Sequence, residues 1–234
     1  MTEVIHGVRP VIEALRAGRR EIFEVLDSTD NKDVRQASSE RGVSVRKVSR
    51  SQVEELARGG VHQGVVARVG AYPYTDLDEV LAAPEQLIVL LDGVTDPRNL
   101  GAILRVADGA GASGVVIPKD RAAGITPIAV KASAGASEHM LVARETNLRR
   151  AIDRMKESGV WVYATEANGT SYTDLDLEGP VALVLGSEGK GIRRLVREGC
   201  DGAVSVPMLG AVGSLNVSVA AAVLLYEARR QRGR

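Results

Sequence analysis

The spacing of hydrophobic positions changes near residue 87. Before it, short segments alternate between helical and extended grammar. In GVRPVIEALRAG (7–18), Val11, Ile12 and Leu15 share one helical face and Gly18 stands at a C-cap position. IFEVLD (22–27) reads as a strand, and NKDVRQASSERG (31–42) as a polar helix ending at Gly42. VSVRKV (43–48) alternates as a strand does. SRSQVEELARGG (49–60) is a short helix with Ser51 as its N-cap and Glu54 at N3. GVVARVGAY (64–72) is a further strand. The order β-α-β-α-β predicts a parallel or mixed sheet. AYPYTDLDEVLAAPEQ (71–86), with two prolines and several acids, reads as a connection. The expected units are therefore 1–71, a linker over 72–86, and 87–234.

From 87 onward the apolar runs are continuous. LIVLLDGV (87–94), GVVIP (114–118), HMLVA (139–143), VWVYATE (160–166), VALVLG (181–186) and AVSVPM (203–208) are strand candidates. Helical segments are expected over 99–111, 126–135, 147–158 and 189–198. Strands apolar on both faces, separated by helices, predict an α/β fold with a parallel sheet covered on both sides. Ligands bind beyond the carboxyl ends of such strands, so the loops after those ends are the places to search.

Bulk properties narrow the field only a little. Lys+Arg and Asp+Glu both number 30 in 234 residues, so a globally basic nucleic-acid binder is not indicated. The first 70 residues hold 12 basic and 10 acidic side chains, which leaves room for local patches only. One cysteine, Cys200, excludes an internal disulfide and a multi-cysteine zinc site, and it fits a reducing cytoplasm. MTEVIHGVRPV does not read as a signal peptide, and no apolar run is long enough to span a bilayer. Aromatic content of 3% argues against a base-stacking platform.

Three loops carry chemistry. In DGVTDPRNLGAILRVADGAG (92–111), Asp96-Pro97 makes a turn, Asn99 can cap a helix, and Arg98, Asn99 and Arg105 lie at or just after a strand end. Asn99 and Arg105 are six apart, off one helical row. In LGSEGKGI (185–192), Gly186, Gly189 and Gly191 would let backbone approach a ligand, or Ser187 would simply cap a helix with Glu188 in its first turn. A phosphate-binding loop is excluded there by the spacing. In VPMLGAVGSLNVSVAAA (206–222) a glycine loop leads to Asn216, a candidate cap for the last helix. GAGASG (109–114) matches the dinucleotide fingerprint, but it follows a helix and precedes a strand, the reverse of the required context. A Rossmann dehydrogenase is thereby disfavoured.

Taken together, the three loops resemble the motifs of the SpoU-type RNA ribose 2′-O-methyltransferases of the knotted SPOUT superfamily. DPRNLGAILRVADGAGASGVVI, LVLGSEGKGI and VPMLGAVGSLNVSVAAAVLLYEA stand in the family's order. IHGVRPVIEAL (5–15) and VHQGVVARV (61–69) resemble the small RNA-substrate-binding domain that precedes this fold, and HQGV resembles the group that methylates a guanosine of 23S ribosomal RNA. The resemblance implies a trefoil-knotted parallel-sheet methyltransferase domain in which segment 203–225 threads through an upstream loop. It also implies S-adenosylmethionine as methyl donor and a homodimer formed through the knotted domain; the expected location is cytoplasmic, and no metal is expected, since no cluster of His, Cys or carboxylates has ligand spacing. Backbone groups at Leu185, Gly186, Val206 and Leu215 would hold the cofactor. Asn99, Arg105, Glu188, Ser214 and Asn216 would form the catalytic set.

A ribose hydroxyl is a weak acid, so a proton acceptor must assist. His6, His62 and His139 all lie outside the three loops. An arginine is a poor base at its ordinary pKa. The resemblance implies that Arg105, perturbed by an RNA phosphate, accepts the proton; the alternative is that it only positions the phosphate. Three basic runs could meet RNA: Arg9, Arg16, Arg19 and Arg20; Arg41, Arg46, Lys47 and Arg50; Arg193, Arg194 and Arg197. Transfer RNA methylation, antibiotic-resistance methylation of ribosomal RNA, and a non-catalytic RNA-binding or ribosome-assembly protein on the same fold remain as alternatives.

Overall fold

The structure is a computed structural model that describes residues 2–233. Its first sheet contains β1 (Glu3–His6), β2 (Ile22–Asp27), β3 (Val45–Lys47) and β4 (Val65–Val69), in the order β1-β4-β2-β3. β2 and β3 are parallel, and β4 runs antiparallel to β1 and β2, so the sheet is mixed. β1 was not among the expected strands; four residues are too few to display a period. Helix α1 (Val8–Ala17) buries Val11, Ile12, Ala14 and Leu15 on one stripe. Helix α2 (Lys32–Arg41) comes after β2, with Asn31 accepting from the Asp33 and Val34 amides as its cap.

Helix α3 (Arg50–Ala57) packs Val53 and Ala57 against Leu26 and Val66 on the opposite face of this sheet. Its cap is Ser49, not Ser51. Ser49 and Gln52 form the reciprocal capping box, because two Ser-x-x-Gln/Glu spacings overlap here and the earlier one adjoins the end of β3. Glu54 is thereby left free to meet His62, Nε2 to Oε2 2.7 Å.

Segment 72–86, expected as a linker, is packed tightly onto the second unit. Helix α4 (Leu77–Leu81) buries Leu77 and Val80 in the core of the second sheet, and Thr75 bridges to Ala143. The Tyr72 hydroxyl donates to the carbonyls of Ser137 and Met140.

The second sheet has six strands: β5 (Leu87–Asp92), β6 (Gly114–Pro118), β7 (Val142–Glu145), β8 (Trp161–Ser171), β9 (Val181–Gly186) and β10 (Gly202–Ser205). Their order is β10-β8-β9-β5-β6-β7, and every pairing is parallel. Alternate residues of each strand feed two cores. Leu87, Val89, Leu91, Leu183 and Leu185 face α5 (Pro97–Gly109), α6 (Pro127–Ala132) and α9 (Val217–Gln231). Ile88, Leu90, Ala182 and Val184 face α4, α7 (Leu148–Glu157) and α8 (Arg194–Arg197). Burial on both faces is why these strands read as unbroken apolar runs.

Boundaries differ in informative places. Asp96 caps α5, accepting from the Arg98 amide, with Pro97 at the first helical position; Asn99 is therefore not a cap and its side chain is released. The helix expected over 189–198 shrinks to one turn at Arg194–Arg197, because the glycines before it form a hairpin-like loop. β7 starts at Val142, so His139 lies in a 3-10 turn (Ala136–Glu138 and its cap), not in a strand. GAGASG is the end of α5, a turn and the start of β6, as its misplaced context requires.

The two units meet through charged groups. Arg20 is buried between them, pairing with Glu138 at 3.2 Å and Glu3 at 2.7 Å and donating to the Gly70 carbonyl at 2.7 Å. Glu138 is itself buried, and that burial raises its pKa against the opposing pull of Arg20.

Candidate active site

The chain runs β5 to β6 to β7 in one direction and returns to place β9 on the other side of β5, so the strand order reverses between β5 and β9. Parallel sheets bind ligands outside the carboxyl ends at such a point. A cavity of about 350 Å³ opens there. Leu185, Gly186 and Glu188 line it from β9 and the loop beyond; Val206, Ser214 and Leu215 line it from the segment before α9. Two stretches some twenty residues apart thus share one hollow, with all four expected cofactor residues and two of the five expected catalytic residues on its wall.

The loop after β9 is fixed from below. Ser187 and Gly191 exchange backbone hydrogen bonds, 3.1 and 2.9 Å, so Ser187 is a bridge residue and not a helix cap. Gly189 and Gly191 take φ of +80° and +64°, which closes the turn. Gly186 is needed for another reason: a Cβ there would lie 2.4 Å from the Gly191 carbonyl carbon and 2.6 Å from the Ile192 nitrogen. The close approach is chain to chain. Asp92, buried at the end of β5, accepts from both the backbone N–H and Nε of Arg193 at 2.7 Å, and so pins the far end of the loop.

Glu188, so held, meets the two asparagines. Asn99 Nδ2 donates to Glu188 Oε1 at 2.9 Å, and Asn216 Nδ2 donates to the same oxygen at 2.9 Å and to Asn99 Oδ1 at 3.2 Å. Asn216 Oδ1 accepts from the Ser218 amide at 2.9 Å, so Asn216 caps α9 as well as joining the network. A carboxylate is acceptor only, and two amide N–H donors fix its orientation. Residues 99, 188 and 216 come from three separated segments and join three of the predicted residues. Arg105 is outside this group: it is exposed on α5, does not line the cavity, and has no hydrogen-bond or ion partner among the described residues.

A third segment completes the wall and was missed from sequence. β8 pairs with β10 through Tyr163 and Ala164, then resumes at Thr170, leaving 165–169 bulged out of the ladder. Thr165, Glu166 and Ala167 from this bulge line the cavity. Thr165 Oγ1 is buried with no hydrogen-bond partner, and Glu166 is held by Arg197 Nε at 2.7 Å. The signal was present: TEANG interrupts an apolar run with polar residues and a glycine, as strand bulges do. The cavity lies within the size range of small-molecule sites, about 300–1,000 Å³. Its wall offers main-chain groups, an orphan hydroxyl and two carboxylates, a donor and acceptor set that fits a polar, cationic nucleoside.

The first and third basic runs are largely committed within the chain, whereas in the second Arg46 pairs with Glu24 and Arg41 donates to the Gly18 carbonyl, and Lys47 and Arg50 have no partner among the described residues. Arg16 pairs with Glu13, Arg19 donates to the Met140 carbonyl, and Arg20 is buried. Arg193, Arg194 and Arg197 pair with Asp92, Glu198 and Glu166. Among the described residues no group of three or more His, Cys, Asp or Glu could hold a metal ion, and no helix is long and apolar enough to cross a membrane.

The chain is similar to known proteins along nearly its whole length. The model of the SpoU rRNA Methylase family matches residues 86–226, and that of RNA 2'-O ribose methyltransferase substrate binding matches residues 4–75. The 23S rRNA (guanosine-2'-O-)-methyltransferase RlmB of Haemophilus influenzae is 46% identical over 244 residues, covering 99% of this chain and 99% of that protein. Its Escherichia coli namesake is 42% identical over 243 residues, covering 99% and 100%. The crystal structure of the SpoU methyltransferase AviRb from Streptomyces viridochromogenes in complex with AdoMet superposes with a TM-score of 0.84 at 30% identity, covering 98% of this chain and 89% of that one.

Proposed function

The chain belongs to the SpoU rRNA methylase family, and from that premise we propose that it transfers a methyl group from S-adenosylmethionine to the 2′-hydroxyl of a guanosine ribose in 23S ribosomal RNA. The observation that carries this reading is the single hollow made by 185–189, 206–215 and the β8 bulge, with the Asn99–Glu188–Asn216 network joined to its wall at Glu188.

When bound, S-adenosylmethionine supplies an electrophilic methyl group on a sulfonium. Leu185, Gly186, Val206 and Leu215 would hold its adenosine part through main-chain groups, and the orphan Thr165 hydroxyl would find its partner there. Asn99 and Asn216 hold Glu188 in place, and with Ser214 these groups would orient the ribose. Alignment of the attacking oxygen is what an in-line displacement demands of a site. Arg105, exposed and unpartnered, would take an RNA phosphate bidentately and so set the ribose in place for attack.

The same reading assigns a trefoil knot, with 203–225 threaded through an upstream loop, a homodimer and a cytoplasmic location. β10 pairing with β8 and the return of 206–216 to the β9 loop support the threading. Val219 and Tyr226, seven apart on α9 and 48% and 54% exposed, support a dimer contact along that helix.

The test is calorimetric titration with S-adenosylmethionine, then methyl transfer to a 23S ribosomal RNA transcript. Saturable binding and 2′-O-methylation of a guanosine are expected. No binding at millimolar cofactor would overturn the reading in favour of a non-catalytic RNA-binding protein.

A further inference from the structure

The cavity after β9 is lined by acids and by no bases. Glu166 and Glu188 stand on its wall, and among the described residues no Lys, Arg or His does. Their partners differ. Glu188 is held by the neutral amides of Asn99 and Asn216 and has no ion pair among the described residues, so no cation opposes its charge. Glu166 Oε2 accepts from Arg197 Nε at 2.7 Å, and Oε1 has no partner among the described residues. Arg197 stands on α8 and does not line the cavity. The wall therefore presents the carboxylate, with the guanidinium behind it.

The local fold is what puts Glu166 on this wall. Neighbours on a regular strand point to opposite faces, so Thr165 and Glu166 could not both line one hollow. In β8 the pairing with β10 jumps from Ala164 to Thr170, and the bulge between lets both of them do so. Gly169 permits the return to the ladder: a Cβ there would lie 2.7 Å from backbone atoms of Ala203 and Val204. The bond from Arg197 then ties the bulge to α8, beyond the β9 loop. Two adjacent residues thus bring different chemistry to the cavity. Thr165 brings a neutral hydroxyl, buried and without a partner, and Glu166 brings an anion.

A methyltransferase site must take a charged molecule and release an uncharged one. S-adenosylmethionine carries a sulfonium charge, and the thioether left after transfer lacks that charge and one methyl group. Their adenosine and amino-acid parts are the same, so main-chain contacts to those parts cannot tell them apart, whereas a fixed negative charge can. Resting on the function proposed above, we infer that Glu166 is a specificity-determining residue of the cofactor site, whose carboxylate biases the cavity toward the cationic donor and against the neutral product. Glu166 and Arg197 are 37% and 36% exposed, so water and the guanidinium weaken the field. The bias is then that of an exposed ion pair, about threefold in affinity.

The experiment is calorimetric titration of the full chain, wild type and Glu166→Gln, with three ligands. These are S-adenosylmethionine, S-adenosylhomocysteine, and sinefungin, which carries an ammonium in place of the methylsulfonium. Glu166→Gln should bind both cationic ligands about threefold more weakly and S-adenosylhomocysteine as before. Thr165→Val should weaken all three alike, because a hydroxyl carries no charge. Unchanged affinities in Glu166→Gln would overturn the inference. So would an equal loss for all three ligands, which would make Glu166 a support of the bulge and nothing more. The wild-type protein gives a check that needs no variant: its preference for S-adenosylmethionine relative to S-adenosylhomocysteine should fall as salt is raised from about 0.05 to about 0.5 M. A preference indifferent to salt would overturn the inference as well. Failure of the wild-type protein to bind any of the three would remove the function proposed above and this inference with it. Normal binding with an unaltered preference in Glu166→Gln would remove this inference alone.

Discussion

Gly186→Ala tests whether the loop after β9 is held by its own close packing. The added Cβ would lie 2.4 Å from the Gly191 carbonyl carbon, 2.6 Å from the Ile192 nitrogen and 2.7 Å from the Gly191 oxygen. Carbon atoms in contact keep about 3.5 Å, so the two backbone segments must part by about 1 Å. Overpacking of this kind costs about 1–3 kcal/mol. In a chain of this size each kcal/mol lowers Tm by about 2–4 °C, so a loss of about 2–12 °C is expected. The same displacement carries Glu188 with it. Its 2.9 Å bonds to Asn99 and Asn216 would stretch beyond hydrogen-bonding range. S-adenosylmethionine affinity should therefore fall by about tenfold or more, read by calorimetry beside the melting curve. Gly210→Ala is the control: a Cβ there has no neighbour within 4 Å, and both quantities should hold. A Gly186→Ala protein with wild-type Tm and cofactor affinity would show that the loop yields freely and that the glycine is not there for packing.

Other perturbations separate roles within the site and the unit interface. Arg105→Ala should abolish methyl transfer in a radiolabelled assay and leave cofactor affinity unchanged; near-normal turnover would remove Arg105 from the mechanism. Asn216→Ala should cost about 1 kcal/mol in urea denaturation through loss of the α9 cap and should lower kcat as well. Asn216→Asp keeps the cap acceptor but sets a second carboxylate against Glu188, so turnover should fall with stability largely kept; equal losses in both would deny the network a separate role. Arg20→Met leaves Glu138 buried without its main partner and should cost about 3–5 kcal/mol by chemical denaturation; an unchanged midpoint would mean the pair is not shielded from water. Burial raises the Glu138 pKa, so the folded state holds that proton more tightly than the unfolded chain. Its contribution is most favourable below the unfolded carboxyl range and declines as pH rises through the folded pKa. Glu138→Gln removes this titration, so its stability relative to wild type should rise with pH above the ordinary carboxyl range, and a difference independent of pH would reverse the assignment.

Much of this was legible because it was local or periodic. β2 and β9 fall on the expected residues, since an apolar run bounded by turn residues defines its own ends. The caps were harder, because capping chemistry degenerates: Ser49 and Ser51 both offer the right spacing, Asp96 and Asn99 are both cap-forming side chains, and only the path of the preceding chain decides between them. That choice has a chemical consequence at the second pair. With Asp96 as the cap, the Asn99 side chain is free to donate to Glu188, which no inspection of the helix alone would reveal. Glycine was legible as a residue type and its cause only in part: a side chain at Gly186 would meet Gly191 and Ile192, a close approach within the chain that the spacing does not display.

What stayed hidden is what two distant segments make between them. Arg20 looked like one more member of a basic run, and its burial exists only because the α1–β2 loop lands on Glu138, 118 residues later. The β8 bulge is a property of the ladder with β10, so Thr165 and Glu166 could be seen as polar residues at a strand end but not as a cavity wall. Arg98 and Arg105 show the same limit from the other side. Seven residues apart, they point from nearly one face of α5, yet Arg98 lines a hollow between the two units and Arg105 lines neither that hollow nor the cavity after β9. Sequence spacing fixes direction along a helix, whereas what lies in that direction is set by the unit that docks there. The site's chemistry was therefore readable as a set of residues, and its working arrangement only once β5, β9 and the turn before α9 had been brought to one edge of the sheet.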